Sequence, residues 1–223
     1  MAHVLAATAT IATLTACAAR EPDIAQPEAE AAAVERVEPI SAPPAAALPF
    51  AWPVPAGWKS ETIPFPLGFA PTLPYAGFEE LRFTPGMFKA GSDEMWSYAF
   101  VWWLNGDVAF DAATLNADLA AYFGGLSLAV EQREGFDPRD AAAVAKLASV
   151  DPAANGAARW KGAVSAYDAF VTHARVELNL EVRVFRCAAR DRTVALFTVS
   201  PQPDDHAVWT RLAALRDAFR CPE

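Results

Sequence analysis

Residues 95–104 read MWSYAFVWWL, and this stretch decides the fold class. Its alternating positions form two sets, and apolar side chains dominate both of them. Successive residues of a β-strand point to opposite faces of the sheet, so both faces of this strand need cover from other elements. The pattern predicts a central strand that places Trp96, Tyr98, Phe100, Trp102 and Leu104 on one face, and Met95, Ser97, Ala99, Val101 and Trp103 on the other.

Further strands are predicted on both sides of this stretch. Downstream, residues 176–187 alternate apolar with polar side chains, and residues 193–200 follow after a short turn, which predicts an antiparallel pair. Shorter alternating or β-branched runs predict strands at residues 61–65, 77–84 and 160–169. The sheet is therefore expected to be mainly antiparallel.

Three helices are predicted between the central strand and the later strands. Asp111 has the character of an N-cap, and the helix that it opens is expected to stop at Gly124 and Gly125. A second helical stretch is predicted at residues 126–132. Asp137, which is followed by Pro138, predicts the start of an Ala-rich helix that reaches about residue 147.

A closing helix is predicted after Asp204 and Asp205, whose carboxylates suit the positive end of a helix. Its apolar side chains recur at helical spacing, at Val208, Trp209, Leu212, Leu215 and Phe219. The order of strands, helices, strands and helix predicts an α+β domain over residues 50–223. We expect a mainly antiparallel sheet with helices packed on one face and a closing C-terminal amphipathic helix.

This order of elements, together with two short segments, resembles the PsbP/Mog1-like fold that several small bacterial lipoproteins share. The first segment is the opening PAGW at residues 55–58, and the second is the closing helix VWTRLAALRDAF. The resemblance implies the fold and no particular activity, because one fold carries many unrelated functions.

The N-terminal segment predicts export and lipid anchoring. Residues 1–16 contain no Lys, Arg, Asp or Glu, which is typical of a signal peptide core. The tetrapeptide LTAC, ending in Cys17, resembles the lipobox of bacterial lipoproteins. That resemblance implies a diacylated Cys17 in the membrane and, with Ala18 after it, an outer-membrane location with the domain facing the periplasm or the cell surface. An ordinary cleaved signal with a coincidental cysteine is the alternative.

Residues 17–49 predict a lipidated N-terminus followed by a disordered tether. Residues 18–49 hold 11 Ala, 6 Pro and 5 Glu and almost no large apolar side chain, so they cannot form a core. An Ala/Glu helix at residues 28–37 is the alternative. The net charge of the whole chain is −9, which argues against a nucleic-acid partner.

Once Cys17 is assigned to lipid, Cys187 and Cys221 are left as a possible disulfide pair in an exported protein. The strand after the predicted hairpin leads away from Cys187, and the closing helix returns over a similar distance, so the two sulfur atoms can meet. Two separate thiols are the alternative. No metal site and no cofactor are predicted, because the chain lacks CxxC and HxxxH spacings.

The strongest functional candidate is aromatic. Rings concentrate in the first half of the domain, and a sheet face that helices do not fully cover leaves gaps for apolar or carbohydrate ligands. The candidate ligand-binding residues are Trp96, Tyr98, Trp102, Trp103 and, as a polar partner, Arg82. The alternatives are that the rings form an ordinary core and that Arg82 makes a surface ion pair with a neighbouring Glu.

Catalytic motifs are weak. His173 lies near Ser165 and Asp168 in sequence, but nothing resembles the G-x-S-x-G motif of a nucleophile, and no catalytic residue is assigned. His206 fits a solvated first helical turn. The preferred hypothesis is an anchored lipoprotein whose non-catalytic domain holds an envelope protein or supports the envelope. The alternative is a binding module for an apolar or carbohydrate ligand, and a hydrolase comes last.

Overall fold

The computed structural model describes residues 47–152 and 156–223, and the predictions for the signal segment, for Cys17 and for the tether up to residue 46 lie outside them. The described chain folds into strands β1 (Lys59–Pro64), β2 (Gly77–Phe83), β3 (Tyr98–Asn105), β4 (Val144–Val150), β5 (Ala158–Tyr167), β6 (Arg175–Cys187) and β7 (Arg192–Ser200). Its helices are α1 (Ala112–Val130) and α2 (Ala207–Asp217), with single 3₁₀ turns at Pro138–Ala141 and Ala188–Arg190.

All of these strands form one antiparallel sheet in the order β1-β2-β3-β7-β6-β5-β4. The predicted central strand is confirmed as β3, which pairs with β2 on one side and with β7 on the other. Residues 98–104 are all buried, as the apolar side chains at every position require. The predicted hairpin is also confirmed, because β6 pairs with β7.

The two helices cover opposite faces of the sheet. On the α1 face, Tyr98, Phe100, Trp102 and Leu104 of β3 pack in one cluster with Leu115, Leu119, Tyr122 and Phe123 of α1. On the α2 face, Ala99, Val101 and Trp103 pack with Val208, Leu212, Leu215 and Phe219. The α+β class with a mainly antiparallel sheet and a closing helix is confirmed. The sequence did not indicate which face the closing helix covers.

The predicted Ala-rich helix up to residue 147 is wrong. Asp137 caps only the 3₁₀ turn Pro138–Ala141, and residues 144–150 form the edge strand β4 instead. Tertiary contacts outweigh the helix propensity of alanine here. Gly162 of β5 permits close pairing, since a Cβ there would lie 2.1 Å from the Lys146 carbonyl oxygen. The Asn116 side chain on α1 also bonds both the backbone N–H and the carbonyl of Leu147, at 2.7 and 3.1 Å.

The predicted helix stop at Gly124 and Gly125 is wrong as well. Helix α1 runs through both glycines to Val130, so the separate stretch predicted at residues 126–132 is the last part of α1. Gly125 allows helix α1 to lie close to the backbone of Phe69, because a Cβ at this position would lie 2.0 Å from the carbonyl oxygen of Phe69.

The structure joins Cys187 and Cys221 in the predicted disulfide, with their Cα atoms 5.5 Å apart. The bond links the end of β6 to the chain just after α2, and so fixes the closing helix against the sheet. A loop of 34 residues is closed in this way. In the chain-entropy account a loop of that size stabilises the fold by roughly 3 to 4 kcal/mol.

Candidate functional site

A cavity of about 250 Å³ lies on the α1 face of the sheet. Helix α1 packs most closely over β4 and β5, so loops rather than a helix complete the cover near β1 and β2. The cavity wall is formed by side chains of β1, β2, β3, the last turns of α1 and the loops beside them. These are Glu61, Ile63, Phe69, Leu81, Phe83, Met87, Phe88, Trp96, Tyr98, Tyr122, Leu126, Val130 and Phe170.

Five of these side chains form a closed cycle of ring contacts, which we call the aromatic cycle. Its ring centroids are 5.6 Å apart for Phe83 and Phe88, 5.3 Å for Phe88 and Phe170, and 5.5 Å for Phe170 and Trp96. Tyr98 closes the cycle, at 6.4 Å from Trp96 and 5.9 Å from Phe83. Neighbouring rings are inclined to each other by 29° to 68°. Most of these pairs are therefore tilted rather than stacked face to face.

Trp96 is held in its place by a special backbone conformation. Its φ is 53°, in the left-handed region, which costs a non-glycine residue about 1 to 2 kcal/mol. Its backbone N–H donates to the Met87 carbonyl at 3.1 Å, and the Thr84 hydroxyl donates to the Ser97 carbonyl at 2.8 Å. The predicted strand therefore begins only at Tyr98, and Trp96 reaches the cavity from the preceding loop.

The structure brings two of the predicted ligand-binding residues, Trp96 and Tyr98, to the cavity. Trp102 lies on the same face but inside the core, with ring centroids 4.8 Å from Phe197 and 6.0 Å from Tyr122. Trp103 lies on the α2 face, 4.9 Å from the Phe50 ring. Neither of these tryptophans lines the cavity.

Arg82 also lies on the α2 face, and the alternative that it makes a surface ion pair is wrong. The residue is only 1% exposed and pairs with the buried carboxylate of Glu80. Its guanidinium lies 4.5 Å above the Trp52 ring and donates to the carbonyls of Trp52 and Pro53, each at 3.0 Å. These bonds fasten the chain entering the domain to the sheet, so Arg82 has a structural role.

Most side chains of the cavity wall were not predicted from the sequence. Tyr122, Leu126 and Val130 follow one another at intervals of four residues and lie on one side of α1. This spacing is visible in the sequence. Because the helix was expected to stop at the two glycines, however, the three residues were not assigned to one helix. Phe88 and Phe170 come from loops, where no periodicity indicates which side chains meet.

Buried polar atoms accompany the rings of the cavity wall. The Tyr98 hydroxyl and the Trp96 indole N–H are buried without a hydrogen bond of regular geometry, and so is Oε2 of Glu79. Burial, aided by the charge of Glu61, raises the pKa of Glu79 to about 8, although Tyr122 and the Trp102 indole, 3.4 Å away, oppose the shift. Among the wall residues that the structure describes, Glu61 is the only charged one.

His173 is engaged elsewhere. Its Nδ1 lies 3.1 Å from Oε2 of Glu131, which also accepts the Tyr167 hydroxyl at 2.9 Å. Burial favours the neutral acid, but bonds from Arg133, Tyr167 and His173 outweigh it and lower the pKa of Glu131 to about 2. The structure does not bring His173 to the Asp168 carboxylate, which instead accepts backbone N–H groups of residues 170–172 at 2.7 to 3.0 Å.

His206 has a local role. It is the N-cap of α2, and its Nδ1 accepts the backbone N–H of Val208 at 3.2 Å. Within residues 47–152 and 156–223, no group of three or more His, Cys, Asp or Glu side chains is arranged to hold a metal ion. Neither α1 nor α2, the helices of that same part of the chain, is long and apolar enough to cross a membrane.

Comparisons with protein-family models, with curated proteins and with solved structures found no match to this chain. The resemblances to bacterial lipoproteins and to the PsbP/Mog1-like fold therefore stay predictions from the sequence.

Proposed function

We propose that this chain is an exported, lipid-anchored protein whose folded domain binds a small apolar ligand in the cavity of the α1 face. The observation that carries the binding proposal is the wall itself, in which Glu61 is the only charged member and seven of the side chains are aromatic. Concave, mostly apolar surfaces with few polar groups are typical of ligand sites.

The size of the cavity limits the ligand. An apolar cavity of about 150 Å³ holds one benzene ring, and sites for larger small molecules begin at about 300 Å³. The present cavity, at about 250 Å³, lies between these sizes. It suits one ring system or a segment of an alkyl chain.

This chemistry favours the apolar version of the binding hypothesis over the carbohydrate version. A sugar presents many hydroxyl groups, and each of them needs a hydrogen-bond partner once it leaves water. The cavity wall is mostly apolar, and the polar side-chain atoms of Trp96 and Tyr98 in it are fully buried. Binding an envelope protein or supporting the envelope, the other non-catalytic function that the sequence predicts, has no comparable feature among the described residues.

The binding proposal predicts that a bulky side chain in the cavity weakens ligand binding. Val130 lines the cavity at the end of α1, whereas Leu128 on the same helix is 51% exposed and does not. Calorimetric titration with decanol is expected to give saturable binding to the wild type. Val130→Trp should weaken it by at least about tenfold because the indole fills the space, equivalent to about 1.4 kcal/mol.

Leu128→Trp is the matched control, because it adds the same indole to the same helix outside the cavity. Its affinity for decanol should equal that of the wild type. Wild-type protein that shows no saturable binding, or equal affinities for the Val130→Trp and Leu128→Trp variants, would contradict the binding proposal.

The anchoring proposal is supported by the LTAC segment at residues 14–17 and by the Cys187–Cys221 disulfide, which suits an oxidising compartment. Mass spectrometry of the native protein should find Cys17 as the N-terminal residue, carrying acyl chains. Cys17→Ser should release the protein from the membrane fraction, since the acyl chains supply the anchoring. A native chain that keeps residues 1–16 and a free Cys17 thiol would refute anchoring while leaving the binding proposal intact.

A further inference from the structure

The aromatic cycle has a geometry that apolar binding alone does not require. Phe83 lies on β2, Phe88 and Phe170 lie on loops, and Trp96 and Tyr98 lie on one segment, just before and at the start of β3. Each ring contacts the next until the cycle closes. All five line the same cavity. Phe88 is exposed and Phe83 and Phe170 are half-buried, so a ligand group in the cavity can touch these three rings, whereas Trp96 and Tyr98 are buried and support them.

Rings arranged in this way attract cations. The face of an aromatic ring carries negative electrostatic potential, and a cation within about 6 Å of the ring centroid is stabilised by it. Neighbouring centroids in the cycle are only 5.3 to 6.4 Å apart. A positive group among them is within reach of more than one ring at once, as in the aromatic cages that bind quaternary ammonium groups.

The charge at the cavity is negative, which favours a cationic ligand. Glu61 is exposed on β1, and no Lys, Arg or His lines the cavity in the part of the chain that the structure describes. Arg133 follows α1 beyond Val130, but its guanidinium is held by the Glu131 carboxylate at 3.2 Å. An incoming cation therefore meets a carboxylate at the cavity, and an incoming anion is repelled by it.

We infer that the cavity recognises an alkylated ammonium group on an apolar body, with the accessible rings of the aromatic cycle beside the cation and Glu61 as its counter-charge. The inference rests on the proposed function, because it names the class of ligand that the same cavity binds. It adds a selectivity for charge that a plain apolar cavity does not have.

The test compares three ligands that share one alkyl chain: decyltrimethylammonium, decanol and decanoate, titrated calorimetrically at neutral pH and low salt. The cation is expected to bind at least about tenfold more tightly than decanol, and decanoate more weakly than decanol. Tighter binding of decanol or decanoate than of the cation would overturn the inference and leave the proposed function standing. Saturable binding of none of the three would overturn both.

Two variants locate the selectivity. Glu61→Gln should weaken binding of the cation by about fivefold and leave decanol unchanged, since only the charge is removed. Glu177→Gln, on the exposed surface of β6, is the control and should change neither affinity. Phe88→Leu, at a position that is 46% exposed and so does not endanger folding, should lower the preference for the cation over decanol. A preference that both Glu61→Gln and Phe88→Leu leave intact would overturn the inference.

Discussion

Replacing Arg82 with Met should lower the free energy of unfolding by about 3 to 5 kcal/mol, the cost of leaving a buried charge without its partner. Arg82 and Glu80 are both buried, and the Thr62 hydroxyl also donates to the Glu80 carboxylate. The methionine side chain has a similar length and preserves most of the packing. The decrease in the free energy of unfolding therefore measures the effect of the unpaired carboxylate and of the lost hydrogen bonds to the backbone.

Those backbone bonds connect the beginning of the domain to the sheet. Arg82 donates to the carbonyls of Trp52 and Pro53, and the adjacent Ala51 pairs with Arg220 beyond α2. Trp52 itself donates to the Leu215 carbonyl of α2 at 3.0 Å. We therefore expect the variant to loosen the segment around Trp52, in addition to lowering the midpoint of denaturant-induced unfolding.

A double variant supplies the internal control. Removing both charges in Arg82→Met, Glu80→Leu should recover most of the lost stability, because an apolar replacement of a buried ion pair is often neutral. Lys161→Met gives a comparison with an exposed pair, since Lys161 lies 2.7 Å from Asp204 and both are solvated. Its cost should stay under about 1 kcal/mol. A similarly small cost for Arg82→Met would mean that the pair is solvated in solution.

Strands whose pattern of apolar and polar residues lies within one continuous segment were predictable from the sequence. The run at residues 95–104 is apolar at almost every position, and its residues from Tyr98 onward form the buried β3. Residues 176–187 alternate cleanly, and β6 pairs with β7. In each case the side chains that determine burial lie within one strand, so local periodicity was sufficient.

The remaining parts depended on contacts between distant residues. From the sequence alone Gly125 indicates the end of a helix, whereas in the structure it allows the close approach of the Phe69 carbonyl. Residues 144–150 have a helical pattern, but Gly162 permits them to pair closely with β5. The cavity has the same origin. Trp96 and Tyr98 were predictable as ring-bearing residues of one segment, but Phe88 and Phe170 join them only through the tertiary fold.

The second large effect concerns Glu79, whose contribution should make the wild-type protein less stable as the pH rises. Burial raises the pKa of this carboxyl to about 8 in the folded protein, from an ordinary value of 4.5. Between these values the folded state keeps the proton and the unfolded state releases it. The folded state then binds more protons, so the free energy of unfolding falls with increasing pH, by up to about 1.4 kcal/mol for each unit.

Glu79→Gln removes this dependence because the amide stays neutral in both states. The variant and the wild type should be similarly stable near pH 4.5 and diverge above it. Above about pH 8 the variant should be the more stable by an amount approaching about 5 kcal/mol. Denaturant titrations of both proteins at several pH values between 4.5 and 8.5 measure the difference, in which the contributions of other titrating groups cancel.

Substitution of Glu61 gives a second, independent test of the raised pKa of Glu79. Its charge helps to raise the pKa of Glu79, so Glu61→Gln should bring that pKa down and narrow the pH range over which stability is lost. Glu177→Gln, on exposed β6, should reproduce the wild-type profile. If the difference between wild type and Glu79→Gln is constant from pH 4.5 to 8.5, then Glu79 titrates normally in the folded protein. The wall behind the aromatic cycle would then admit water, contrary to the apolar cavity on which ligand binding depends.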